Sequence, residues 1–132
     1  MISTGIFTGY FPYKIEETIG RIKENGFSCV QLDVSFKDCD AAREILTREK
    51  AIAIRDRFRD ANLPVIAVSA YTNIMSPVKE VRKENIRYLK MMMERALDLG
   101  CPYVASETGT LNPESDWVWD EKNSSEEAFE QA

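Results

Sequence analysis

Histidine is missing from this chain of 132 residues, and its three cysteines form no C-x-x-C pair. Histidine is the commonest zinc ligand and general base, while paired cysteines mark zinc sites and disulfide frameworks. We therefore expect neither a zinc site nor a disulfide framework. Cys29 and Cys101 each stand at the start of an apolar run and are expected to be small buried core residues, whereas Cys39 is expected in a loop.

Positive charge is also in short supply, with 17 lysines and arginines against 22 acidic residues and a net charge of −5. This balance argues against nucleic acid and anionic membranes as partners, because both attract clustered basic residues. No apolar run approaches the roughly 20 residues that span a bilayer, no basic and then apolar leader opens the chain, and the glycines form no phosphate-binding G-x-G-x-x-G. We expect a cytoplasmic protein with a small-molecule ligand and no nucleotide cofactor.

Three similar junctions organise the rest of the chain. The segments NGFSCVQLD, ANLPVIAVS and LGCPYVASE each end a helical pattern, pass one Gly or Asn, and enter a short apolar run. Gly26, Asn62 and Gly100 are the residue types that tolerate the left-handed conformation just after a helix. Each junction is therefore predicted to be a turn from a helix into a strand.

Apolar residues at the spacing of an amphipathic helix precede each turn. They are Ile15, Ile19 and Ile22, then Ala51, Ile54, Phe58 and Ala61, then Val78, Val81, Leu89, Met92, Met93, Ala96 and Leu97. Ser76 is the predicted cap of the third helix, with Pro77 in its first turn.

The predicted strands span residues 2–8, 28–33, 65–70 and 103–107, and they are apolar on both faces, as parallel strands are. A strand and a helix alternate strictly, which predicts an α/β fold with a parallel sheet. Both a doubly wound sheet and a barrel satisfy this pattern.

The last residues, 124–132, are predicted to open a fourth helix, because Ser124 and Glu127 have capping-box spacing. A (β/α)₈ barrel has about 250 residues, and this chain supplies four of its eight units. We therefore expect residues 1–132 to be the first half of a barrel, cut at the start of its fourth helix. Such a half should self-associate through its open strand edges and exposed apolar residues. The candidates for that surface, or for the interface with the helices, are Ile6, Val30, Leu32, Ile66, Val68 and Val104.

Ligands of parallel α/β folds bind at the carboxyl ends of the strands, and polar residues follow every predicted strand here. They are Thr8, Tyr10 and Tyr13, then Asp33, then Tyr71, Thr72 and Asn73, then Glu107, Thr108 and Thr110. The carboxylates of Asp33 and Glu107 suit a hydroxylated ligand, a cation or a proton transfer. The equally weighted alternative is that both accept hydrogen bonds from loop amides.

Tyr71 and Asn73 carry donors and acceptors suited to sugar hydroxyls, although Y-T-N is also good loop chemistry. Trp117 and Trp119 stand in a long acidic loop. They predict either a wall on which a sugar stacks or, slightly favoured, burial against neighbouring loops or the missing half of the barrel.

With these residues in view, the chain resembles the sugar phosphate isomerase/epimerase family, the xylose isomerase-like TIM barrels. The specific segments are VSAYTNIMSP, the helix and strand VKEVRKENIRYLKMMMERALDLGCPYVASETGT, and NPESDWVWDEKNSSEEAFEQ. The resemblance implies four parallel strands in sequential order with outer helices. It also implies that Tyr71, Asn73, Glu107 and Trp117 line a substrate pocket, to which the strand-end position adds Asp33.

The resemblance implies a sugar, sugar phosphate or cyclitol isomerase or epimerase that uses metal-assisted proton transfer. The divalent cation of the full-length fold, Mn²⁺, Mg²⁺, Co²⁺ or Zn²⁺, would be held by later strands, so we expect this segment alone to bind none and to be inactive. No residue is assigned as catalytic, and Glu107 is expected to hold a hydroxyl group. The alternative is a non-enzymatic binding module, or a half-barrel that assembles with another chain.

Overall fold

The computed structural model describes residues 3–42 and 44–131. The chain divides into two compact units. Of the described residues, the first unit contains 3–42, 44–69 and 91–105, and the second contains 70–90 and 106–131.

The first unit is built on a parallel sheet of four strands. These strands are β1 (Gly5–Phe7), β2 (Cys29–Leu32), β5 (Val65–Ser69) and β6 (Val104–Ala105), and they lie side by side in chain order. All three neighbouring pairs are parallel, with Ile6 beside Val30, Leu32 beside Val68, and Val68 beside Val104. The predicted parallel sheet in sequential order is confirmed. Each strand is shorter than predicted, and Ile2, placed in the first strand by the sequence, lies outside the described residues.

Helices follow the predicted pattern. They are α1 (Ile15–Glu24), α2 (Arg48–Asp60), α3 (Lys79–Arg95) and α4 (Glu126–Gln131). Gly26, Asn62 and Gly100 have φ values of 77°, 59° and 97°, which confirms the left-handed turn after each of the first three helical segments. Because this conformation is costly for residues with a β-carbon other than Asn and Asp, the three junctions are fixed by their residue type.

The core of the first unit lies between the sheet and its helices. Val30, Leu32 and Val68 point to one side of the sheet and are fully buried, as are Ile22 of α1 and Phe58 of α2. Three of the six residues predicted for an exposed surface or the helix interface are therefore buried, and Ile66 is more than half exposed, at 52%. Cys29 and Cys101 are buried, as predicted.

Three local predictions are wrong. Cys39 lies in β4 (Cys39–Asp40), which pairs with β3 (Ser35–Phe36) as a short antiparallel hairpin, and not in a loop. Ser76 does not cap α3, because that helix begins at Lys79 and the Ser76 side chain is buried ahead of it.

The cap of α4 is Ser125 and not Ser124. The Oγ atom of Ser125 accepts a hydrogen bond from the amide of Ala128 at 3.1 Å, while Ser124 ends a 3₁₀ turn that begins at Glu121. The predicted last residue of this helix, Ala132, lies outside the described residues. Within the part of the chain that the structure describes, no helix is both long enough and apolar enough to cross a membrane.

Candidate functional site

Asp33 follows β2 directly and is held in place by a neighbouring threonine. The Thr8 hydroxyl donates to the Asp33 carbonyl at 2.9 Å and accepts from the Asp33 amide at 2.8 Å. Thr8 is only 1% exposed, so this pair of hydrogen bonds is shielded from water. It joins the carboxyl ends of β1 and β2 and fixes where Asp33 leaves the sheet.

The carboxyl group of Asp33 is partly buried. Burial raises its pKa, the negative charge of Asp40 adds to this, and a hydrogen bond from the Ser35 hydroxyl opposes it. A half-buried carboxylate whose charge is disfavoured is suited to accept hydrogen bonds or exchange a proton. The partner of this carboxylate is the Ser35 hydroxyl, whereas the alternative expected from the sequence was that it accepts from loop amides.

The second unit contains a cavity of about 300 Å³ in the loop that follows β6. It is lined by Glu107, Thr108, Gly109, Thr110, Asp116, Trp117, Val118, Trp119 and Asn123. Two of the predicted site residues, Glu107 and Trp117, therefore share one cavity. None of these lining residues carries a positive charge.

Two carboxylates face this cavity. Burial raises the pKa of Glu107, and the negative charge of Asp116 raises it further. Like charges that share a site oppose each other's ionisation, so Glu107 retains a proton to higher pH than an isolated glutamate. The cavity thus offers two carboxyl groups that can hydrogen bond with hydroxyl groups of a ligand.

The aromatic wall of the cavity is open. Trp117 is 72% exposed and Trp119 is 65% exposed, and Val118 between them is also exposed. Burial of these tryptophans against neighbouring loops is therefore not what the described residues show, while their burial against the remaining half of the barrel stays a prediction. Three consecutive exposed apolar side chains at a cavity form a surface on which a ligand can stack.

Asn73 has a different character from the other candidates. It is 2% exposed, and its side chain makes four hydrogen bonds inside the second unit. Nδ2 donates to the Thr110 carbonyl and to Asp116 Oδ1, each at 2.8 Å, while Oδ1 accepts from the amides of Met75 and Thr110, each at 3.0 Å. A carboxamide has two donor hydrogens and two acceptor positions, so all four are occupied.

The other predicted site residues are spread over the two units. Tyr71 is 39% exposed and belongs to the second unit, together with Asn73, Glu107 and Trp117, whereas Asp33 belongs to the first. Tyr10 is exposed and meets the Phe7 ring edge to face at 5.2 Å. The structure therefore brings together Glu107 and Trp117, with Asn73 directly behind them.

Sequence reasoning missed Asp116 and Asn123. Asn123 accepts from the Leu111 amide at 2.8 Å and donates to the Thr110 hydroxyl at 2.9 Å, and that hydroxyl donates to the Val118 carbonyl at 2.9 Å. The available signal was the run of Asn, Pro, Ser and Asp at residues 112–116, because such residues bind nearby backbone amides in turns. Asn112 does this with the amides of Glu114 and Ser115.

A metal site made by this chain alone would need several carboxylate, thiol or imidazole side chains placed close together. Among the described residues, no group of three or more His, Cys, Asp or Glu side chains is placed to hold a metal ion.

The chain is similar to one family model and to several solved structures, two of which are sugar epimerases by name. The model of the xylose isomerase-like TIM barrel family matches residues 19–132. A 3-keto-D-glucoside 4-epimerase, YcjR from E. coli, is similar over 83% of this chain, with a TM-score of 0.58 and 19% identity. A D-psicose 3-epimerase, solved in the presence of D-fructose, is similar over 80%, with a TM-score of 0.51 and 16% identity.

The matched region covers only part of each relative. It spans 39% of the first structure and 37% of the second. No individual curated protein sequence matches the chain. At these identities the two structures show the fold alone. That fold is four consecutive strand and helix units of a TIM barrel.

Proposed function

Because the chain belongs to the xylose isomerase-like TIM barrel family, we propose that it forms part of a sugar isomerase or epimerase and binds a sugar or cyclitol beside Trp117. Two relatives of similar fold are sugar epimerases by name. The chain spans less than half of either relative. That it acts within a complete sugar isomerase or epimerase is therefore itself proposed.

The observation that carries the proposal is the combination of indole and carboxylate at one cavity. A sugar ring presents apolar C–H faces and polar hydroxyl edges, and it therefore needs a flat apolar wall next to strong acceptors. Trp117 and Trp119 supply exposed rings, and Glu107 and Asp116 supply the acceptors. The volume of about 300 Å³ lies at the lower end of the range for small-ligand sites.

The charges favour a neutral ligand over a phosphorylated one. The two carboxylates at the cavity are not balanced there by a lysine or arginine among its lining residues. Two like unit charges about 4 Å apart repel by about 4 kcal/mol at an effective dielectric constant near 20. A sugar phosphate would meet this repulsion, whereas a neutral hydroxyl group would donate a hydrogen bond.

The proposed reaction is the transfer of a proton at a carbon next to a carbonyl group. Glu107, whose pKa is raised, holds a substrate hydroxyl and takes part in orienting the sugar. A divalent cation needs ligands beyond the described residues, so no step is assigned to a cation held by them. The catalytic base is likewise not assigned to a residue of this chain.

Tryptophan fluorescence tests the binding directly. The chain has two tryptophans, and both lie in this loop, so all tryptophan emission reports on the cavity. Titration with D-fructose should give a saturable change in emission, and D-fructose 6-phosphate should give a weaker one. Trp117→Ala and Glu107→Gln should each weaken the response, while Asn25→Ala, on the exposed end of α1, should not.

A response that is linear in sugar concentration, or is unchanged in Trp117→Ala, would remove the sugar-binding proposal. Equal affinity for the phosphorylated sugar would remove only the preference for a neutral ligand.

A second candidate function is assembly with another chain, including a second copy. The observation in its favour is that β1 and β6 are the two edges of the sheet. The first unit also exposes Met93, Leu97 and Tyr103, at 59%, 73% and 70%. Open strand edges and exposed apolar side chains both favour association.

The proposed compartment is the cytoplasm. Cys29, Cys39 and Cys101 are all free thiols, and two of them are buried in the core. Unpaired thiols are typical of a reducing compartment, which supports this assignment.

A further inference from the structure

The carboxamide of Asn73 is the most completely hydrogen-bonded side chain near the cavity, and it does not line it. We infer that Asn73 is a positioning residue: its donors hold the 107–118 loop so that Glu107, Asp116 and Trp117 share one cavity. This inference rests on the proposed sugar site and adds a group that controls the site without touching the ligand.

The orientation of the Asn73 amide is fixed by its partners. Its Oδ1 accepts from two backbone amides, those of Met75 and Thr110, and its Nδ2 faces two acceptors, the Thr110 carbonyl and Asp116 Oδ1. A flipped amide would place donors against donors and acceptors against acceptors. The oxygen side therefore binds its own turn and the loop backbone, and the nitrogen side binds the loop alone.

The loop can approach Asn73 closely because it has a glycine, Gly109, at the point of contact. Gly109 has a φ of 91°, and a β-carbon placed there would lie 2.0 Å from Asn73 Oδ1 and 2.7 Å from its Cα. No side chain fits in that space. From the other side, Asn85 Nδ2 donates to the Asn73 carbonyl at 2.8 Å and anchors the turn to α3.

The bond to Asp116 links this anchor to the ligand site. Asp116 is adjacent to Trp117 and lines the same cavity as Glu107. If the hydrogen bond from Asn73 Nδ2 is lost, we expect Asp116 and the rest of the loop to move away from Asn73. The Trp117 ring then loses the position from which it can stack on a sugar. The expected loss of affinity is about 10-fold, which corresponds to about 1.4 kcal/mol.

Asn73→Asp is the sharp test, because it keeps the oxygen acceptors and replaces only the donors. At neutral pH the introduced carboxylate faces Asp116 Oδ1 and the Thr110 carbonyl, so the loop should be repelled while the turn at Met75 keeps its bond. Acid should restore a donor by protonating the introduced group. Asn73→Ala removes the donors permanently and should not be rescued by acid.

Time-resolved tryptophan anisotropy measures the result, since both tryptophans are in the loop. Asn73→Asp should increase the amplitude of the fast decay about twofold at pH 7.5 and lose that increase near pH 4, where protonation restores the donor. Acid acts on the wild type too, so each value is compared with the wild type at the same pH. Gly109→Ala should show the fast decay at both pH values.

Asn112→Asp is the matched control in the same loop. Among the described residues, the side chain of Asn112 hydrogen bonds through its oxygen alone, to the amides of Glu114 and Ser115, and an aspartate keeps both bonds. Its anisotropy should equal that of the wild type. Wild-type anisotropy in Asn73→Asp at pH 7.5, or an increase that acid does not reverse, would overturn the inference.

The anisotropy measurement needs no ligand. A wild-type chain that binds no sugar but loosens its loop in Asn73→Asp would contradict the proposed function and leave the positioning role intact. If Asn73→Ala does not fold, Asn73→Asp still decides, because circular dichroism can show that its helices are present.

Discussion

Two buried threonines should respond in opposite ways to the same substitution. Thr8 is 1% exposed and Thr18 is 0% exposed, so replacing either by valine exchanges one hydroxyl for one methyl group of similar volume. The Thr8 hydroxyl makes two hydrogen bonds with the backbone of Asp33. The Thr18 hydroxyl is buried and has no hydrogen-bond partner among the described residues.

The magnitudes follow from those partners. Thr8→Val leaves an amide and a carbonyl of Asp33 without partners beside the buried side chain, at about 1 to 3 kcal/mol each, so we expect a loss of about 2 to 6 kcal/mol. Thr18→Val removes a buried hydroxyl that has nothing to bind, and we expect it to raise the free energy of unfolding by about 1 kcal/mol. The two variants should therefore differ by about 3 kcal/mol or more.

Urea unfolding followed by far-ultraviolet circular dichroism measures this difference, at one fixed protein concentration because association would add to apparent stability. Thr8→Ser is the control, since it keeps the hydroxyl and loses one methyl group, for a cost of about 1 kcal/mol. Equal effects of the two valine substitutions, or a Thr8→Ser variant as unstable as Thr8→Val, would refute the role given to the Thr8 hydroxyl.

Three further predictions concern activity, association and pH. The purified chain should show no sugar isomerisation with Mn²⁺, Mg²⁺, Co²⁺ or Zn²⁺, because the described residues form no metal-binding group; metal-dependent turnover above background would contradict this. Light scattering after size-exclusion chromatography should show self-association at micromolar concentration that weakens in Leu97→Glu, and a sharp wild-type monomer would contradict it. The contribution of Asp33 to the free energy of unfolding should fall as the pH rises from the ordinary aspartate pKa through its raised pKa, because burial opposes its ionisation only in the folded chain. Asp33→Asn should remove that contribution, so the difference in free energy of unfolding between variant and wild type should change over this pH range in a series of urea titrations, and a constant difference would count against it.

The fold could be predicted from the sequence because its signals are local and repeated. A residue with positive φ at Gly26, Asn62 and Gly100 marks each change from helix to strand, and the turn type needs no tertiary contact to be recognised. The hairpin at residues 35–40 was missed for the opposite reason. Each of its strands has two residues, too few for any alternation of apolar and polar side chains to appear.

Helix starts were predicted less well than helix ends. Ser76 has the right chemistry for a cap, but it is buried ahead of the helix, and α3 begins at Lys79. Ser124 and Ser125 are chemically identical, and only the backbone decides which one meets the Ala128 amide. The N-cap is the residue whose backbone is still extended just before the first helical residue. The sequence does not specify which of two adjacent serines takes that position.

The candidate site was predicted in part. Glu107 was predicted because it follows a strand, and a strand end is visible in the sequence. Trp117 was predicted because it stands in a long loop within a segment that resembles the family, and the structure places both residues at one cavity. Asp116 and the four-bond environment of Asn73 depend on which loop reaches which turn, and that contact joins residues 43 positions apart. The sequence therefore indicated Asn73 as a residue of the site but did not reveal that its carboxamide is already fully engaged.

The exposed tryptophans explain why such a buried polar anchor is needed. A loop usually holds its shape by burying apolar side chains, but Trp117, Val118 and Trp119 leave 72%, 52% and 65% of their surface exposed, so they contribute little hydrophobic stabilisation. Asn73 and Thr110, 2% and 4% exposed, supply the missing constraint from behind through hydrogen bonds. Since hydrogen bonds are directional where apolar contacts are not, they fix the orientation of the loop as well as its distance. The exposed tryptophan rings therefore depend on the buried hydrogen bonds of Asn73 and Thr110 for their position. Under the proposed function, sugar affinity should depend on both the rings and these hydrogen bonds.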